Sequence, residues 1–170
     1  MAAIVDVLSY HGASPVGVAI TNLHVNFKRA DSDDSGLADP VPIPAAGTAY
    51  SWRKYTKITV VSGLSGQIGN IRLFADEAPE DWANSVILYA GITPGYSQPA
   101  AGDEAGLFGG GVDINTYTSG SPLIVNASAS AITTTGTGTQ DYVIQQIGVP
   151  STATSGLKTA RRIVYRFDES

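Results

Sequence analysis

The chain has no cysteine and only two histidines, His11 and His24, against fifteen Asp plus Glu. Metal ligation, nucleophilic attack and proton shuttling draw mainly on Cys and His, so carboxylates would have to carry any such role here. Asp31, Asp33, Ser35 and Gly36 fall at offsets that open a calcium loop. Calcium needs about six to eight oxygens, and an EF-hand loop closes on a bidentate Glu at its twelfth position. That position is Pro42, which favours a solvated polar turn. Asp76, Glu77, Glu80 and Asp81 could be paired as glycosidase carboxylates. Four acids around a proline more simply complement the dipole at the start of a helical turn. A zinc site at His11 or His24 would have to recruit distant carboxylates, and neither Ser9 nor Ser14 sits with His11 on a strand-to-helix elbow. Gly109–Gly111 lacks the Lys-Ser/Thr pair and the helix of a phosphate loop. These residues predict no catalytic group, no metal and no cofactor, and the chain reads as a non-enzyme.

Function by shape shifts attention to the elements that present it. Ile163, Tyr165 and Phe167 share one parity and Arg162, Arg166 and Asp168 the other, the period-two signature of a strand with one buried face. A long strand is expected from Pro15 to Arg29, with a bulge or sheet crossing near Ile20–Asn22, where the apolar parity changes. Asn22, His24, Asn26 and Lys28 would line the polar face of its second half. Further strands are expected over Tyr50–Val61, Gln67–Ala75, Ser85–Ile92, Val112–Thr118, Pro122–Ala127 and Asp141–Val149. A single helical turn is expected at Ala78–Asn84. Thr93–Gly111 holds six Gly and two Pro together with Tyr96, Leu107 and Phe108; a connection that long is usually functional or mobile. Ser128–Thr139 is low in complexity. The pattern predicts an all-β fold, an antiparallel β-sandwich of jelly-roll type with about eight strands and long Gly/Pro-rich loops. Residues 1–170 form one domain, with residues 1–14 as an N-terminal arm.

Composition narrows the partners. Four Lys and four Glu against thirty-one Ser plus Thr, with nineteen Gly, suit strands and turns rather than helix surfaces. A net charge of −5 opposes non-specific binding to nucleic acid or anionic lipid. Met1–Ala13 lacks the basic start of a secretory signal, and no apolar run is long enough to span a bilayer. Synthesis in a cytoplasm is the expectation, with no nucleic acid and no membrane as partner.

Positive charge concentrates in two strands, at Arg53, Lys54 and Lys57 and at Arg161, Arg162 and Arg166, while acids gather in loops. Such a distribution suits a solvated sheet face, or complementary patches that join subunits in register. Trp52, Tyr55, Trp82, Tyr89, Tyr96 and Tyr117 are aromatic candidates for interface anchors. The expected interface comprises Tyr96, Leu107, Phe108, Trp52, Arg53, Arg162 and Arg166.

Four stretches resemble those of tailed-bacteriophage virion proteins: His11-Gly-Ala-Ser-Pro-Val-Gly-Val, Ala49-Tyr-Ser-Trp-Arg-Lys-Tyr-Thr-Lys-Ile, Asn70-Ile-Arg-Leu-Phe-Ala-Asp-Glu-Ala-Pro and Trp82-Ala-Asn-Ser-Val-Ile-Leu-Tyr-Ala-Gly. The Ser/Thr/Gly-rich β style covers most of the chain and is similar to capsid decoration, or cement, proteins. The resemblance implies a homo-oligomer, a trimer in preference to a dimer, on the outer surface of a virion and bound to the major capsid protein. It transfers no catalytic residue. A tail or baseplate β-domain that recognises host glycans is the alternative, for which Trp52, Tyr96, Trp82 and Asp103 would be recruited.

Overall fold

The computed structural model describes residues 2–20, 25–32, 34, 38–76, 80–82, 85–125 and 131–170. Ten strands occur among them: β1 Ile4–His11, β2 Val16–Ala19, β3 Thr48–Tyr50, β4 Lys54–Ser62, β5 Ile68–Ala75, β6 Ile87–Thr93, β7 Val112–Asp113, β8 Leu123–Ile124, β9 Tyr142–Pro150 and β10 Ile163–Glu169. A large sheet runs β2-β1-β4-β9-β6-β7, with β3 also paired to β9, and a small sheet runs β10-β5-β8. Every pairing is antiparallel. The expected all-β sandwich is the observed class. Seven plus three strands, however, differ from the two Greek keys of an eight-stranded jelly roll.

Strand parity builds the core. Ile58 and Val60 of β4, Leu88 and Ala90 of β6, and Val143 and Val149 of β9 turn one face of the large sheet inward against Ile68, Ile71 and Leu73 of β5. Ile68 and Ile71 have opposite parity yet both are buried, because Asn70 adopts a left-handed conformation (φ 48°) and the pairing slips between Arg166 and Asp168. The extra residue is a β-bulge, in which Asn replaces the usual Gly. From β10, Ile163, Tyr165 and Phe167 pack onto the same core, and the Tyr165 hydroxyl meets Thr56 Oγ1 at 3.0 Å, a polar link between the sheets. Residues 131–139 run along β4 and bridge to β5 through Ile132, so the described part of the low-complexity stretch is a strap between sheets.

Several expected boundaries move. Within the segment expected as an arm, Ile4–His11 forms β1, which pairs with β2 on one side and β4 on the other. The strand expected from Pro15 to Arg29 ends at Ala19, and residues 25–29 are irregular; Asn22 and His24 lie outside the described residues. Tyr50–Val61 splits at Ser51–Arg53, where the Ser51 amide and hydroxyl both bond Ile147 and the Trp52 amide turns away to the Lys28 carbonyl. Both pieces still lie along β9. The helical turn is a 3-10 segment at Glu80–Trp82, with residues 77–79 and 83–84 outside the description. Among the described residues no helix is long and apolar enough to cross a membrane.

Candidate functional site

The loop 94–111 lies on the outer face of the large sheet, and one buried side chain makes three of the hydrogen bonds that fasten it there. Gln146 of β9 is fully buried. Its Nε2 donates to the carbonyls of Ser51 (2.8 Å), Asp103 (3.0 Å) and Gly106 (3.3 Å), while its Oε1 accepts from the Phe108 amide at 3.0 Å. Trp52 Nε1 donates to Glu104 at 2.9 Å, and the Arg53 amide donates to Asp103 at 3.3 Å. Arg53 Nε also stands 3.3 Å from Asp103 Oδ1, an ionic contact without hydrogen-bond alignment. Phe108 is 4% exposed and caps Gly91, with Leu107 half-buried beside it. Phe108 is therefore a core anchor and not an interface residue, and Trp52 and Arg53 hold the molecule's own loop. Lys54 is likewise occupied, donating from a buried site to the carbonyls of Ala30 and Ser32. The sequence shows Gln145 and Gln146 as a polar pair in an otherwise apolar strand; that interruption was the signal, though it does not tell the two apart.

Tyrosines line the rest of this face. Tyr10 and Tyr142 meet edge-on at 5.2 Å and Tyr55 and Tyr96 at 5.0 Å, with Lys57 Nζ 3.9 Å above the Tyr142 ring. Edge-to-face rings and a cation over a π-face are mutually stabilising. The Tyr96 hydroxyl donates to the Gly12 carbonyl at 2.9 Å, and burial pushes its pKa up, as it does for Tyr10 and Tyr55. Asp31 completes the closure by accepting from the Gly12 amide and from Gln98 Nε2.

The outer face of the small sheet is different. Register places Arg166 opposite Arg72, with Ile124 on Arg72's other side; the next row is Val164 opposite Phe74, and Arg162 stands beside Asp76. Arg162 pairs with Asp76, and Arg72 with Asp168 at 2.5 Å. Asp168 is held below the usual carboxylate range, first by the Asn70 amide and further by Arg72 and Arg166. Like charges directly opposite each other destabilise a sheet. Among the described residues Arg166 is exposed and makes no direct ion pair, acting on Asp168 only through space, and Ile124, 46% exposed, lies across Arg72 from it. Two arginines therefore share the Asp168 carboxylate on this face, with Val164, Phe74 and Ile124 around them.

The expected interface residues thus separate onto opposite sides of the sandwich. Tyr96, Leu107, Phe108, Trp52 and Arg53 belong to the large sheet and its loop, while Arg162 and Arg166 belong to the small sheet. The glycan candidates do not converge either, since Trp82 is buried away from the loop and donates to the Thr159 carbonyl. Of the acids, Asp76 serves Arg162 and Asp81 accepts from the Thr159 amide. Glu77, Asp33, Ser35 and Gly36 fall outside the described residues. Among the described residues no three Asp, Glu, His or Cys side chains cluster to hold a metal ion. No family model matches the chain, and neither does a curated protein or a solved structure.

Proposed function

We propose that this chain is a capsid decoration protein of a tailed bacteriophage, which docks the outer face of its small sheet on the major capsid lattice. The observation that carries the reading is the Arg166–Arg72 row, in which the exposed Arg166 stands opposite the half-buried, Asp168-paired Arg72, bordered by Val164, Phe74 and Ile124 on an otherwise acidic chain. Such a strip suits an acidic, partly apolar capsid surface, with charge setting register and apolar contact supplying affinity. A stiff two-sheet body with its long loop fastened down loses little entropy on docking. Repetition over a lattice then multiplies modest contacts, more so if the chain assembles as a trimer. The protein's place is the virion surface, with no enzymatic role.

Mass spectrometry of purified virions and immunogold labelling of heads test this. Label on heads, with lower heat resistance of particles lacking the protein, is the expected result. Label confined to tails favours the receptor-binding alternative, and unchanged heat resistance opposes the decoration reading. Arg166→Glu should abolish binding to undecorated capsids while leaving the fold intact.

A further inference from the structure

Where β5 ends, a recess of about 320 Å³ opens between Phe74, Asp76, Asn115, Tyr117, Ser119 and Arg161. It lies at the small end of the range of about 300–1,000 Å³ occupied by ligand sites, room for one sugar-sized ring. Its lining is unusual in charge. Arg161 is half-buried, and among the described residues its guanidinium is hydrogen-bonded only through Nη2, to Asn115 Oδ1 at 2.5 Å. Its Nε is buried without a partner. Burial pulls the Arg161 pKa down; Asp113 opposes this through space and forms no ion pair. Asp76, the acid in the recess, is already paired with Arg162. The recess therefore presents one uncompensated cation, one neutralised carboxylate, exposed hydroxyl groups and two aromatic walls.

We infer that this recess binds a single acidic sugar residue, its carboxylate on Arg161, its hydroxyls on Asp76 and Ser119 and its ring against Tyr117. A bare carboxylate would engage Arg161 alone, and a neutral sugar would leave that cation unpaired; only a polyol carrying a carboxylate uses the whole lining. The recess shares Phe74 with the border of the Arg166 row, but its ligand and its test do not depend on the lattice reading.

The test is a titration of the isotope-labelled full chain with glucuronate, glucose and acetate, followed by NMR at the Arg161 Nε–H and the Asn115 and Tyr117 amides. Saturable shifts with glucuronate, and affinity at least about tenfold weaker for glucose and acetate, are expected, the size of one charge-assisted bond. Arg161→Gln should weaken glucuronate binding by about tenfold or more. Because Arg161 also faces the Trp82 ring at 5.8 Å, Ser119→Tyr provides a second variant that fills the recess from an exposed position and should abolish the shifts. No shift with glucuronate, equal affinity for glucose or acetate, or wild-type binding by Ser119→Tyr would each overturn the inference.

Discussion

Gln146 is the residue on which the outer layer turns. Its amide satisfies three carbonyls and one N–H that otherwise lie buried between loop and sheet. Gln146→Leu keeps the volume and strands those groups, at a cost of about 3 kcal/mol. Thermal unfolding should show the loss, and hydrogen exchange should quicken at the amide of Phe108. Glu104 makes a second, pH-dependent clasp. Its carboxylate is held below its usual pKa first by its own and the Gly102 amides and then by the Trp52 indole. A depressed folded-state pKa means that the stabilisation is complete above the unfolded carboxyl's pKa and is lost as pH falls through the lower folded value. Acidification well below the ordinary glutamate pKa should therefore release the Trp52 indole N–H, seen as a shift of its NMR resonance; Glu104→Gln should remove most of that pH dependence.

Among the elements, the long loop owes its position to glycines under it. A Cβ on Gly91 of β6 would stand 3.0 Å from Phe108 Cε2 and 3.1 Å from the Gly110 carbonyl oxygen. Gly91→Ala is expected to lift Phe108 and destabilise the protein by about 1–3 kcal/mol, as overpacking does; denaturant unfolding measures it. How much of each element could be read beforehand follows from its surroundings. The alternation of β10 was legible because one face meets the core and the other meets solvent. β1 was not, because both of its faces are partly covered and both edges are paired, so its apolar residues do not alternate and resemble an arm. The parity break in β5 conceals a bulge that only the left-handed Asn70 reveals. The site was legible in part: arginine content marked β10, but the facing Arg72 depends on cross-strand register, which a single sequence does not state.

At the scale of the molecule, β2 is the edge of the large sheet and has one neighbour among the described strands. Val16 is 72% exposed and Val18 47%, and an apolar edge invites pairing with another chain. If the proposed homo-oligomer uses this edge, Val18→Lys should shift sedimentation toward the monomer while the melting temperature of the monomer stays within a few degrees.

The two extremities of the chain are neighbours. The Ala3 amide donates to the Glu169 carboxylate at 3.0 Å, and Ser170 exchanges backbone bonds with Gln67 in the turn that also carries Ser65. Whatever is genetically fused to either extremity must emerge from the same pole. A short flexible joint between them, with the chain reopened in the exposed stretch 155–157, should yield a circular permutant that melts cooperatively and keeps the β-type circular dichroism spectrum. Such a permutant would move the attachment point for displayed cargo to the far side of the sandwich.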